Sequence, residues 1–447
     1  MSTPDRYDIC VIGNGAAGLA VATGAALLGV HVALVATSHP EDDGALDLVT
    51  VALSAAVRVP GTEFAAAKRH VDTVLAAAAP ANSPERLQAL GIALIDGPAR
   101  FTGPDRIAVG TRTITARRFV IANAGRIPVP AIPGLDRAPF LTRRTLAALD
   151  RQPEHLAIVG GGAEALELAQ AYRRLGSMVT LIGDGPVLDG EDPELVDLLL
   201  LRLRADGVRL LDRIDAVTED HRLAAGAEMI RPTHLVLATG RRPDLDNLGL
   251  DAAGVRTGPD GIAVDDRLRT RNRRIHALGD AIAPQDHAQG AGAQAGVVLR
   301  NILFRQGARW DDGAVPRVVQ TDPGLAQVGL TEPQARGARV PVTILRWPFH
   351  DNDRARAEGK PHGLVKIVTG PRGRILGAGI VGPHAEELIQ TWQLAIAQKL
   401  KIGTMTGLIA SYPSLGDASK RAAATFFAPK LLGSSTRRLV RWLALFG

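Results

Sequence analysis

Tyr7-Asp8-Ile9-Cys10-Val11-Ile12-Gly13-Asn14-Gly15-Ala16-Ala17-Gly18 is the stretch that decides the fold. Its apolar first half reads as a buried strand, and Leu19 to Leu28, which follow it, read as an Ala-rich helix. G-x-G-x-x-G therefore stands between a strand and a helix, the context in which the motif binds a dinucleotide. The first glycine permits the tight turn, the second lets a pyrophosphate approach the backbone, and Gly18 lets helix and strand pack closely. The helix N–H groups then point at the phosphates. Val30 to Val35 supply the next strand and complete a βαβ unit.

The pattern recurs. Leu156 to Val159 read as a strand, Gly160-Gly161-Gly162-Ala163-Glu164-Ala165 as the turn, and Met178 to Ile182 as the second strand. Gly18 to Gly29 and Ala165 to Gly176 are each eleven positions apart, so the copies match in register. A dinucleotide fold usually places a ribose-binding acid at the end of its second strand. Those slots are Ala36 and Gly183, neither of them acidic; Glu41 and Asp184 lie nearby and would serve only if their loops bend back. Nucleotide affinity should fall and the preference between NADH and NADPH should blur.

Composition bounds the rest. The chain of 447 residues is too long for one ordinary core, and 46% hydrophobic with 22% charged residues describes a globular protein. A net charge of +6 arises from interspersed Lys/Arg and Asp/Glu without a long basic block, which argues against nucleic acid as a partner. A single cysteine excludes a dithiol centre and a CxxC metal site. The eleven histidines show no metal-ligand spacing, His350 reads as structural or superficial, and Ser54, Ser411 and Ser414 lack a nucleophile-elbow context. No apolar run is long enough to span a membrane and no leader-like start is seen, so a cytoplasmic address is expected. Thr436 to Gly447 form a short basic amphipathic segment, expected as a surface helix or a weak membrane-surface contact.

Several motifs in order resemble the disulfide-reductase flavoproteins, the family of mercuric reductase, dihydrolipoamide dehydrogenase and glutathione reductase. Val159-Gly-Gly-Gly-Ala-Glu-Ala-Leu-Glu-Leu-Ala-Gln170 is similar to its nicotinamide-domain signature, and Leu237-Ala-Thr-Gly-Arg-Arg-Pro243 to the ATGRxP exit of that domain. Ile275-His-Ala-Leu-Gly-Asp280 resembles the second flavin motif, whose Asp holds the ribityl chain. Ala314-Val-Pro-Arg317, Thr321-Asp-Pro323 and Val328-Gly-Leu-Thr-Glu332 resemble the start of the dimerisation domain.

Departures from the family pattern cluster on the disulfide side. Aligning Leu46, Asp47 and Val51 with GGxCxNxGCxPSKA puts Ala45 and Thr50 at the two cysteines, and a one-residue shift puts Gly44 and Val49 there. The lysine that pairs with a glutamate near the flavin falls on Ser54 or Leu53. Its partner is resembled by Glu167, which would lack that counter-ion if buried. The ATGSRP stretch becomes Ala122-Asn123-Ala124-Gly125-Arg126-Ile127, and the acid–base segment His-Pro-Thr-x-x-Glu reads Tyr412-Pro413-Ser414-Leu415-Gly416-Asp417. Tyr at that first position is in mercuric-reductase style, and no His–Glu pair can form.

The resemblance implies an α/β fold: two Rossmann-like dinucleotide-binding domains followed by an α+β dimerisation domain. Its boundaries are an FAD domain over 1–143 and 269–315, an NAD(P) domain over 144–268, and the dimerisation domain over 316–447. Gly13, Gly15, Ala16, Ala17, Gly18, Ala122, Ala124, Arg126, Gly279 and Asp280 would hold FAD. Gly160, Gly162, Ala165, Gly240 and Arg241 would seat NADH or NADPH. Tyr412, Asp417 and Glu167 are the candidates for acceptor-side chemistry. The expected activity is hydride transfer from NAD(P)H through FAD to a small-molecule, non-disulfide acceptor, in a homodimer. A catalytically degenerate dimer, a soluble transhydrogenase and a flavin-dependent oxygenase are the alternatives.

Overall fold

The computed structural model describes residues 5–36, 46–183, 185–282 and 288–446. The chain forms two compact units: Met1–Val187 with Gly207–Asp312, and Leu188–Asp206 with Gly313–Gly447. In chain order, the elements that build the first unit's sites are β1 (Asp5–Ile12), α1 (Ala16–Ala26), β2 (Val32–Ala36), α2 (Leu46–Ala56), β3 (Arg112–Ile121), β4 (His155–Val159), α3 (Ala163–Arg174), β5 (Met178–Ile182), β6 (His234–Leu237), β7 (Ile275–Ala277) and α4 (Ala288–Leu303).

β1 runs parallel to β2 on one side and to β3 on the other, and β7 joins β3 in parallel. Ala93–Asp96 extends the sheet beyond β2, and the antiparallel strands Arg106–Val109 and Ala99–Gly103 close the far side. Ile9, Cys10, Val11 and Ile12 are all fully buried because both faces of the sheet are covered, as in a parallel α/β core. Cys10, Ile12, Phe119 and Ile121 pack on one face with Phe101 and Ile107. Ile9, Val11 and Val120 pack on the other with Val21 and Ala25 of α1 and Ala295 and Val298 of α4. Small residues let the two helices touch: a Cβ on Gly24 would stand 2.6 Å from Leu299 Cδ1.

The second dinucleotide sheet is all parallel, in the order Arg209–Leu211, β5, β4, β6. Phe64–Ala78 form a further helix, with Pro80 in the 3-10 turn that follows.

The second unit is α+β. Its antiparallel sheet runs Arg317–Val319, Gly324–Gly329, Ile375–Gly382, Leu364–Thr369, Thr343–Pro348. Helix Ala385–Ala397 lies on it and buries Trp392, whose indole N–H donates to Ser419 Oγ (3.1 Å) in α5 (Gly416–Ala424). Helix Pro193–Ala205 packs on the same sheet. Asp192 caps that helix by accepting from Glu194 N (3.1 Å) and receives Lys366 Nζ at 2.8 Å. Lys366, only 4% exposed, also meets Glu194 (2.8 Å) and Glu332 (2.9 Å), with Arg346 and Arg336 balancing the extra carboxylates. The α/β architecture with a C-terminal α+β domain is thus as expected. Among the described residues, no helix is long and apolar enough to cross a membrane.

Candidate functional site

The first turn is shaped by missing Cβ atoms. Gly13 has φ +107°, and a Cβ there would stand 2.3 Å from the Ala122 carbonyl oxygen; one on Gly18 would stand 1.9 Å from Gly13 O. Gly15 is the N-cap of α1, and no side chain caps it. The first N–H groups of α1 are therefore open to an anion. Asn14 Oδ1, in the turn itself, is buried without a hydrogen-bond partner.

Two further segments close on this turn. Ala122 N donates to Ile12 O (2.8 Å), which carries the chain from β3 past Gly13, and Ala122 and Ala124 are buried. Gly279 (φ +63°) follows β7, and a Cβ on it would lie 3.3 Å from the Ala17 Cβ. Asp280 Oδ2 accepts from Gly125 N at 2.9 Å and from Arg241 Nη1 at 3.2 Å. Three stretches distant in sequence, Gly13–Gly18, Ala122–Gly125 and Gly279–Asp280, thus converge, with Arg241 of the nicotinamide exit motif tied to the flavin-motif aspartate. Arg126 lies at the rim, paired with Asp246 at 2.9 Å.

Gln294 is a site residue that the motifs do not flag. Fully buried in α4, it accepts from Gly279 N at 2.7 Å while its Nε2 has no partner. Its legible signal is a lone amide in the small-residue run Gly290-Ala-Gly-Ala-Gln-Ala-Gly296. Asn123 is similar, donating to Asp244 O (3.3 Å) with Oδ1 buried and unpartnered.

The second turn repeats the first. Gly160 has φ +144°, with a Cβ position 2.0 Å from Ala238 O, just as Gly13 lies against Ala122 O. Gly162 is the uncapped N-cap of α3, a Cβ on it would meet nothing within 4 Å, and Ala165 is fully buried. Gly240 (φ +76°) and Arg241 follow β6 as part of this repeat. Glu164, in the first turn of α3, faces Arg143 at 3.6 Å, which offsets its charge beside the open N terminus. The ribose slot at Gly183 is closed as well as non-acidic, because a Cβ there would stand 2.9 Å from Asp212 O. Ala36 ends β2. Glu41 and Asp184 lie outside the described residues.

On the disulfide side, Thr50 is buried in α2 together with Val49, Leu53 and Ser54; Ala45 and Gly44 lie outside the described residues. Glu167 is buried on α3, 7% exposed, and is not left without a partner. Cys10 offers no substitute thiolate: it is 0% exposed inside β1, and burial pushes its thiol far up.

Tyr412 and Asp417 lie in one charged cluster with Asp353 and Arg421, but each hydrogen-bonds to a different member of it. The Tyr412 hydroxyl donates to Asp353 Oδ2 (3.0 Å), and Asp417 Oδ2 accepts from Arg421 Nε (2.5 Å) within α5. Tyr412 is 74% exposed, and the Asp353 carboxylate that accepts from its phenol holds its pKa above the ordinary tyrosine range.

Two glycine turns, each pressed against the segment that leaves a central strand, together with a separate antiparallel-sheet unit, define a flavoprotein oxidoreductase of the nicotinamide-linked type. Residues 7–295 match the pyridine nucleotide-disulphide oxidoreductase family, and residues 315–423 match the dimerisation domain of the same proteins. The chain belongs to the class I pyridine nucleotide-disulfide oxidoreductase family, whose members bind FAD and NAD(P)H. It is 31% identical to mercuric reductase of Streptomyces lividans over 94% of this chain and 96% of that protein. It is 33% identical to mercuric reductase of Bacillus cereus over 75% of this chain, an alignment that spans only 55% of the Bacillus protein. Among solved structures, the Cu(II) complex of the HOCl-induced flavoprotein disulfide reductase RclA from Escherichia coli superposes with a TM-score of 0.85 at 25% identity, covering 94% of this chain and 99% of that one.

Proposed function

We propose that this chain is an FAD-dependent oxidoreductase that passes hydride from NADH or NADPH to flavin and on to a small-molecule acceptor that is not a disulfide, working as a homodimer in the cytoplasm. The observation that carries this reading is the convergence of the Gly13 turn, Ala122–Gly125 and Asp280 beside a second, matching turn at Gly160, in a chain whose only thiol is sealed inside β1.

The residues fit the cofactors. The uncapped N termini of α1 and α3 can receive pyrophosphates, through Gly13, Gly15 and Gly18 for FAD and through Gly160, Gly162 and Ala165 for the nicotinamide dinucleotide. Asp280 offers carboxylate lone pairs to a polyol chain, and Arg241 and Gly125 N fix its orientation. The unpartnered Asn14 Oδ1, Asn123 Oδ1 and Gln294 Nε2 are the buried polar groups that a ligand at this site would satisfy. Bound flavin supplies a two-electron acceptor at N5. No dithiol follows it here, since the chain has a single cysteine and neither register of the family helix, Ala45/Thr50 or Gly44/Val49, supplies sulfur. Tyr412 is exposed and commits its one O–H to Asp353, so it would donate to an acceptor only by releasing that carboxylate.

The test is the absorbance spectrum of the purified protein before and after anaerobic NADH or NADPH, then steady-state turnover with glutathione disulfide, ferricyanide and 1,4-benzoquinone. Bleaching of a bound flavin and turnover with a non-disulfide acceptor alone are expected. A colourless protein that takes up no added FAD refutes the proposal and leaves the degenerate dimer.

A further inference from the structure

We propose that the C-terminal helix α6 (Ser434–Leu443), with the turn after it, attaches the protein to the surface of a membrane rich in anionic lipid. At 100° per residue, Arg437, Arg438 and Arg441 fall within an arc of about 100°, while Trp442, Leu439, Leu443 and Val440 fill an opposed arc of about 160°. The apolar arc is uncovered: those four residues, and Leu445 and Phe446 beyond them, are each more than half exposed, and no residue of α6 is buried. Leu431 and Leu432, just upstream, extend the exposed apolar surface. The Trp442 and Phe446 rings meet edge to face at 4.9 Å, forming one aromatic wedge.

Charge selects the occupant. From Ala418 to Gly447 the sequence holds six Lys or Arg and no Asp or Glu. An anionic lipid surface answers both arcs at once: acyl chains take the Leu/Trp face, headgroups take the arginines, and Trp442 sits where aromatic side chains favour the boundary. A helix of this length is about 15 Å long, roughly half the hydrocarbon thickness, so it lies on the bilayer and does not cross it. The dimerisation match ends at residue 423, so this surface lies beyond the part of the chain that resembles a dimer-forming domain.

Co-sedimentation of the purified full chain with phosphatidylcholine vesicles and with mixed phosphatidylcholine–phosphatidylglycerol vesicles tests this. Binding to the anionic vesicles alone, released by salt, is expected. Arg437→Gln/Arg438→Gln/Arg441→Gln should lower the partition coefficient roughly 100-fold, from about fivefold per surface cation. Trp442→Ser/Leu443→Ser should abolish binding while leaving the circular-dichroism melt and any flavin absorbance unchanged, since both side chains are more than half exposed and belong to none of the buried cores. The proposal is overturned if the parent fails to bind anionic vesicles at low salt, or if the triple Gln variant binds as the parent does. It is also overturned if the Ser variant turns a dimer into a monomer by light scattering with no change in vesicle binding, because a second copy then covers the face.

Discussion

Gly18→Ala is the substitution whose outcome follows most directly from the geometry. An added methyl would stand 1.9 Å from the Gly13 carbonyl oxygen, short of ordinary van der Waals contact by roughly 1.5 Å. Neither partner is a flexible side chain, so the start of α1 must move away from β1. Val11, Val21 and Ala22 on either side are fully buried, which leaves no slack. Overpacking of this kind costs about 1–3 kcal/mol, and each kcal/mol lowers Tm by about 2–4 °C in a unit of this size. The larger effect falls on the cofactor: displaced helix N–H groups no longer point at one position, so FAD should be lost on gel filtration. Gly162→Ala is the contrast. Its Cβ meets nothing within 4 Å and its φ of −83° suits alanine, so stability should change by no more than about 1 kcal/mol. The new methyl faces only the space a pyrophosphate would use, so KM for NAD(P)H should rise while FAD content stays. The measurements are the ratio of flavin to protein absorbance after gel filtration, Tm, and KM for both nucleotides. A Gly18→Ala protein that keeps full FAD at the parent's Tm would refute the reasoning.

The other sites yield sharper signs than sizes. Asp280→Asn removes the charge shared by Gly125 N and Arg241, so FAD affinity should fall by about 10- to 100-fold, the worth of a charged hydrogen bond, read as released flavin fluorescence. An unchanged dissociation constant would remove Asp280 from the site. Lys366→Met leaves Asp192, Glu194 and Glu332 converging without their shared cation and should cost about 3–5 kcal/mol in urea unfolding. Hydrogen bonds from Arg346, aided by Lys366, hold Glu194 down to about 2, from the ordinary glutamate value of 4.5. Because that folded pKa is depressed, its contribution is complete above about pH 4.5 and fades as pH falls towards 2; Glu194→Gln should flatten acid unfolding in that window. Asp353→Asn should lower the Tyr412 titration in ultraviolet difference spectra, while Tyr7 and Tyr172, raised by burial, stay put; an unmoved exposed tyrosine would contradict the hydrogen bond.

The strand–turn–helix units were legible because the glycines are required by backbone sterics, and sterics are local. Gly13 and Gly160 could be read without knowing that Ala122 O and Ala238 O press on them, since the turn alone demands a positive φ. The loss of the dithiol was equally plain, because cysteine is counted rather than inferred. Partners set by tertiary approach were not legible. Nothing in the sequence around Gly183 shows that Asp212 O closes that slot, and nothing around Glu167 shows that it keeps a partner after the family lysine is gone. Gln294 was overlooked because it belongs to no glycine motif, although an amide among Gly and Ala on a buried helix must find a partner. Tyr412 and Asp417 share one motif in sequence, yet their hydrogen bonds go to Asp353, far back in the chain, and to Arg421, one helical turn on.

Helix Pro193–Ala205 also sets an order of events at the ribosome. It is made among residues of the first unit, but its N-cap carboxylate awaits Lys366 and its apolar side awaits strands that begin at Gly324 and Ile375. At ordinary translation speeds that wait lasts on the order of ten seconds. Throughout it the nascent chain presents Leu195, Leu199 and Leu203, all of them 0% exposed in the finished fold, to whatever else is near. A fragment beginning at residue 313 would meet the converse problem, holding a buried ammonium whose capping aspartate was left behind on another piece of chain.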